Sequence, residues 1–189
     1  MIVVWIILAV VALIAIFTWA TYNSLVRLNI KTDEALSDIT VQMKRRFDLI
    51  PNLVSTVKGY TKHEKSVLEN VTKARTAAMA AGKNDLSARA AADNQLSETL
   101  KSLFAVAENY PDLKANENFL KLQQELSDTE DKIQASRRFY NGNVRDFNSK
   151  LQVFPTNIFG NMLGFKSKTF FDVEEGEKEA VSKAPKTDF

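Results

Sequence analysis

The chain contains no cysteine. Disulfides, thiolate zinc sites and cysteine nucleophiles are thereby excluded together. It has a single histidine, His63. The stretch His63-Glu64-Lys65-Ser66-Val67 lacks the second histidine that a zinc-protease helix needs. No Glu-x-x-His pair occurs, so a carboxylate di-metal bundle has no ligand set. The six glycines form no phosphate-cradling or dinucleotide motif, and four prolines add little turn chemistry. Long helices are the natural outcome of so few breakers. The net charge of +2 lacks the basic excess of a dedicated nucleic-acid binder. These absences predict a protein that is not an enzyme and carries no catalytic, cofactor-binding or metal-binding residues.

What the chain does have is apolar sequence, beginning at its N-terminus. Ile2 to Ala20 is apolar except for Thr18. At a helical rise of about 1.5 Å per residue this run reaches roughly 28 Å, close to the hydrocarbon thickness of a bilayer. A cleaved signal peptide would want a basic start, a shorter apolar run and a small-x-small site, and none is present. Residues 1–21 are therefore predicted to be an uncleaved transmembrane anchor, with Trp19 and Tyr22 at the water interface. Arg27 and Lys31 follow the run, which by the positive-inside bias puts the N-terminus outside and the rest in the cytoplasm.

From Leu25 onward the apolar spacing is that of amphipathic helices. Leu36, Ile39, Met43, Ile50, Leu53, Val57 and Tyr60 form one stripe, interrupted at Arg46. Gly59 offers a left-handed stop, and Thr61 with Glu64 fits a capping box. A single long helix with a bend there is the alternative. Asp85 suits an N-cap, and Asn116 or Asn118 can start the last helix. In that helix Phe119, Leu126, Ile133, Tyr140, Phe147 and Phe154 recur every seven residues. Leu122, Thr129, Ser136, Asn143 and Lys150 are the weaker alternate positions. The predicted fold is all-α: the transmembrane helix, then an up-and-down antiparallel four-helix bundle over 22–153, with two long and two short helices (22–58, 61–81, 85–109 and 116–152).

The stretch Met43 to Val54, MKRRFDLIPNLV, places Lys44, Arg45, Arg46, Asp48 and Pro51 inside the first long helix. A proline there predicts a bend near Phe47 to Ile50, at about 3 kcal/mol unless packing compensates. Aligning residue 22 with residue 152 sets Arg45 and Arg46 opposite Asp128, Glu130 and Asp131, and Glu34 and Asp38 opposite Arg137 and Arg138. The acid cluster Glu125, Asp128, Glu130 and Asp131 could instead bind a divalent cation, but it lacks ligand-type spacing, and such a cluster is more often a solvated helix face or an ion-pair partner. Residues 154–173 are apolar, then basic. Two readings stand for them. They cap the bundle core, or they touch lipid through Phe159, Met162, Leu163, Phe165, Phe170 and Phe171 with lysines at the headgroups. Residues 174–189 mix charge with proline and read as a disordered tail.

Several of these stretches together resemble the LemA family. They are Tyr22-Asn23-Ser24-Leu25-Val26, Arg45 to Val54, Val57-Lys58-Gly59-Tyr60, Lys62-His63-Glu64-Lys65 and Leu103 to Asn116. Arg138-Phe139-Tyr140-Asn141, Val144-Arg145-Asp146, Phe154-Pro155 and Phe165 to Phe171 complete the set. The resemblance implies a single-pass protein of the bacterial inner membrane with a cytoplasmic helical bundle and no established catalytic residues. It also implies an association with a membrane zinc metalloprotease, and a relative active in magnetosome membrane formation. The function predicted is that of a membrane-anchored adaptor or scaffold working at the lipid bilayer. The alternative is a self-assembling homo-oligomer that organises the membrane.

Overall fold

The computed structural model describes residues 1–61, 64–81 and 85–171. His63 and the predicted tail at 174–189 lie outside the described residues. All regular structure among the described residues is helical: α1 (Ile2–Lys58), α2 (Lys65–Ala80), α3 (Leu86–Ala107), α4 (Pro111–Lys114), α5 (Glu117–Gln152) and α6 (Thr156–Met162). The chain divides into two compact units. The first holds residues 1–46 and 127–170, the second residues 47–126 and Phe171. The N-terminal apolar run and the first bundle helix are one continuous helix of 57 residues. Its N-terminal part is long and apolar enough to cross a membrane and is unburied.

The helix ends follow local hydrogen-bond chemistry. Asp85 caps α3, its carboxylate accepting from the Ala88 N–H at 2.9 Å. Asn116 does the same for α5, accepting from the Phe119 N–H at 2.9 Å. The capping box predicted at Thr61 does not form. The Thr61 backbone N–H and hydroxyl both donate to the Val57 carbonyl, each at 3.1 Å, so Thr61 closes α1 rather than opening α2. Glu64 makes no side-chain cap. Its carboxylate accepts instead from the Tyr110 hydroxyl at 3.2 Å. Nor does Gly59 supply a left-handed stop, since the one glycine with positive φ among the described residues is Gly164.

The second unit is a four-helix arrangement around an apolar core. Ile50, Leu53 and Val57 of α1 meet Leu68, Val71, Ala74 and Ala78 of α2 and Leu96, Leu100 and Leu103 of α3. Leu113, Phe119 and Leu126 complete the cluster. Phe104 and Phe119 pack edge to face at 6.2 Å. Each such buried aliphatic side chain contributes roughly 1.5–3 kcal/mol relative to exposure.

The first unit pairs α1 with α5, antiparallel, with Ser24 beside Lys150 and Arg46 beside Glu130, and α6 packs on one end of the pair. Its buried apolar residues are Leu25, Ala35, Ile39 and Met43 on α1, and Ile133, Tyr140, Val144, Phe147 and Leu151 on α5. The seven-residue series is buried as far as Phe147, whereas Phe154 lies beyond the helix end and is exposed. The alternate positions differ from the predicted ones. After Thr129 the buried partners are Arg137, Val144 and Leu151, four residues on instead of three. An unsupercoiled helix drifts by about 20° per heptad, which brings the +4 position inward as the seam proceeds.

Candidate functional site

The basic run at 44–46 does not act as a block. Lys44, Arg45 and Asp48 are exposed, and Arg46 is 1% exposed. It occupies a stripe position of α1, where burial lowers the guanidinium pKa. Glu130 opposes that shift, and the charge of Arg137 adds to it. Arg46 Nη1 donates to Glu130 Oε2 at 2.5 Å. Glu130 is one-third exposed and also accepts from Gln134 at 3.0 Å. Asp128, Asp131 and Arg138 lie on the exposed face of α5, whereas Arg137 is buried. Arg46 thus meets Glu130, one of the three acids placed opposite it, at hydrogen-bond distance. Among the described residues no three His, Cys, Asp or Glu side chains form a metal-holding group.

Pro51 raises a separate problem within the second unit. It has no N–H, so the Phe47 carbonyl loses its helical donor. The Arg75 Nε–H of α2 donates to that carbonyl at 2.8 Å. The helix continues through Pro51 to Lys58. Leu49, Ile50, Leu53 and Val54 supply the predicted packing, but the compensating hydrogen bond comes from 28 residues away. No local spacing in the sequence announces it.

The segment after α5 divides its side chains between core and surface. α6 turns Thr156 and Gly160 inward. A Cβ on Gly160 would lie 2.7 Å from Leu151 Cδ2 and 3.5 Å from Leu25 Cδ1, so the absence of a side chain permits this approach. Phe159 packs against Phe17, near the end of the apolar run, at 5.4 Å. Phe165 packs between Tyr22 at 6.0 Å and Phe147 at 6.3 Å. Gly164, at φ +80, allows the turn that brings Phe165 back. Beyond it, Asn148 clasps the backbone of Lys168, donating to its carbonyl and accepting from its N–H, both at 2.8 Å. The Tyr140 hydroxyl donates to the Thr169 carbonyl at 2.9 Å. Burial and the nearby Asp33 charge raise the Tyr140 pKa. Lys168 Nζ reaches Asp33 at 2.5 Å and lies 5.9 Å from the centre of the Phe147 ring.

The outward face is apolar. Phe154 is 74% exposed and Met162 78%, with Ile158, Leu163 and Phe170 also exposed. Of the six predicted lipid contacts, Phe171 is fully buried and Phe165 is turned inward, so neither offers a lipid-facing ring. Phe154 and Ile158 take their place on the surface. The signal for this was available: in TNIFGNM the small residues, not the large ones, recur at helical spacing on one side.

Comparison with known proteins accords with this architecture. The LemA family profile matches residues 35–189. Protein LemA of Metamycoplasma hominis is 30% identical over 159 residues, covering 84% of this chain and 72% of its own length. Magnetosome protein MamQ 2 of Paramagnetospirillum magneticum is 26% identical, covering 87% of this chain and 69% of its own. Magnetosome protein MamQ of Magnetospirillum gryphiswaldense is 23% identical over 87% of this chain and 70% of its own. An N-terminal apolar helix, an all-helical body and this match over most of its length make the chain a member of the LemA family.

Proposed function

We propose that the protein is a non-enzymatic, membrane-anchored adaptor. The observation that carries this reading is α1, in which the apolar run and the first helix of both units are one uninterrupted helix. Whatever the helices bind is then tethered to the bilayer without an intervening linker. The apolar outer face of α6, packed through Phe159 on the end of the run, gives a second lipid contact through Ile158, Met162 and Leu163. Arg27 and Lys31 favour an inner-membrane orientation with the N-terminus outside and the body cytoplasmic. An apolar groove supports the adaptor reading. It holds about 510 Å³ in the second unit, floored by Val54 and Leu68 and edged by Lys58, Lys65 and Lys73. A membrane metalloprotease is the partner that family association suggests. Affinity capture of full-length protein from solubilised membranes should return one specific partner, and Lys58→Glu with Lys73→Glu should lose it. Capture that returns none, or is unaffected by the variant, counts against this reading.

A second reading is self-assembly that organises the membrane, in keeping with relatives named as magnetosome proteins. It is favoured by Phe139 and Val41, large apolar side chains of the first unit that are 60% and 58% exposed. Mass measurement in detergent decides it, because a strict monomer excludes self-assembly.

A further inference from the structure

The first unit carries a groove of about 410 Å³ along α1, lined by Trp19, Ala20, Asn23, Ser24 and Arg27. Its chemistry changes in order along the helix. Trp19 and Ala20 close the apolar run, Asn23 and Ser24 are neutral and polar, and Arg27 is an exposed cation. From α5, Lys150 Nζ reaches the Ser24 hydroxyl. Asn23 Nδ2 is held by the Trp19 carbonyl at 3.0 Å, which fixes the middle of the groove. Helical rise puts Ser24 roughly 6 Å beyond Ala20, and Arg27 roughly 10 Å beyond it. A guanidinium on its apolar stem can fold back toward the interface from there. If the run spans a bilayer, the ammonium of Lys150 and the guanidinium of Arg27 lie toward the lipid phosphates, on the headgroup side of Trp19 and Ala20.

We propose that this groove binds one anionic phospholipid, with its acyl chain along Trp19 and Ala20 and its phosphate between Arg27 and Lys150. An apolar-to-cationic gradient fits an amphiphile of that polarity, and two cations within about one helical turn of each other along the axis favour a headgroup with net negative charge over a zwitterion. The proposal rests on the membrane-anchored reading. It adds a lipid class and a stoichiometric site to it, separate from the lipid-facing surface of α6.

Trp5 and Trp19 are the chain's tryptophans, so Trp5→Phe leaves Trp19 as the sole indole reporter. The full chain would be placed in phosphatidylcholine nanodiscs containing roughly a fifth phosphatidylglycerol, with one or the other lipid brominated near the glycerol end of its chains. At equal mole fraction, brominated phosphatidylglycerol should quench Trp19 more strongly than brominated phosphatidylcholine. The apparent preference should fall about fivefold for each base removed in Arg27→Gln and Lys150→Gln. Arg138→Gln, an exposed base elsewhere on α5, should keep it. Circular dichroism at wild-type helicity would show that the variants fold. Equal quenching by the two lipids in the inserted protein, or a preference that survives the double variant, overturns the site. Failure of the chain to co-purify with the nanodisc overturns the anchored reading with it.

Discussion

The two units use the same long helices in different ways. In the second, α1 and α5 contribute Ile50, Leu53, Val57, Phe119 and Leu126 to a core completed by α2 and α3. In the first, they have no flanking helix pair and bury Thr32, Arg46, Thr129 and Arg137 among fewer apolar residues. A core with four helices gains stability by removing apolar area from water. A seam of two long helices, covered at one end by α6 and Phe165, excludes less area, and its polar groups fix which residues stand opposite each other. Buried polar groups gain little net stability when paired but are costly when left alone. The second unit should therefore respond to lost volume, and the first to lost partners.

The largest effect tests the apolar side. Leu103 is fully buried in the second unit. Leu103→Ala should cost about 2–5 kcal/mol by lost transfer energy and cavity formation. Urea unfolding of the full chain in detergent, followed by circular dichroism, measures it. A loss under about 1 kcal/mol would mean that this core is loosely packed.

The next effect tests the polar side. Glu130→Ala removes the carboxylate to which the buried Arg46 Nη1 donates and should cost about 2–3 kcal/mol, less than for a fully buried pair because Glu130 is one-third exposed. Arg46→Met should be near neutral, since it removes the charge along with the need for a partner. The same unfolding assay applies. If Arg46→Met is as harmful as Glu130→Ala, the pair contributes net stability and the contrast between units is weaker than argued.

A smaller effect concerns Pro51. Arg75→Ala should cost about 1 kcal/mol by orphaning the Phe47 carbonyl. Pro51→Ala restores an N–H at the position that normally serves that carbonyl. In the Pro51→Ala background, Arg75→Ala should then cost little, giving a coupling of roughly 1 kcal/mol in a double-mutant cycle. Additive costs would show that Arg75 matters for packing alone.

How much was legible follows from the range of each interaction. Helices and their caps at Asp85 and Asn116 were readable because those bonds span three residues. The seam of α5 was readable at Leu126, Ile133, Tyr140 and Phe147 from the repeat itself. Its alternate positions were missed because a seven-residue repeat does not close on a straight helix. Arg75 was missed because its acceptor lies across the fold. The inward turn of Phe165 depends on Gly164 and on the Asn148 clasp, neither of which shows in hydropathy. Thr61 misled because a hydroxyl that can cap the next helix can equally donate back to the previous one, and here Val57 receives it.

The smallest effect separates stability from recognition. Arg45, Asp131 and Arg138 are exposed in the first unit. Arg45→Glu and Asp131→Lys, singly or together, should each change stability by no more than about 0.5 kcal/mol, because exposed ion pairs contribute little and surface substitutions away from special features are nearly silent. Charge reversal on an exposed face nonetheless changes electrostatic association with a partner, mainly through the rate of encounter. If either variant keeps its unfolding midpoint but loses a partner recovered with the wild type, these charges serve recognition, and the polar character of the first unit divides into a buried part that sets register and an exposed part that selects what docks. If instead Arg45→Glu destabilises strongly and Asp131→Lys restores it, the exposed charges also set the register, and Arg46 with Glu130 is one contact among several.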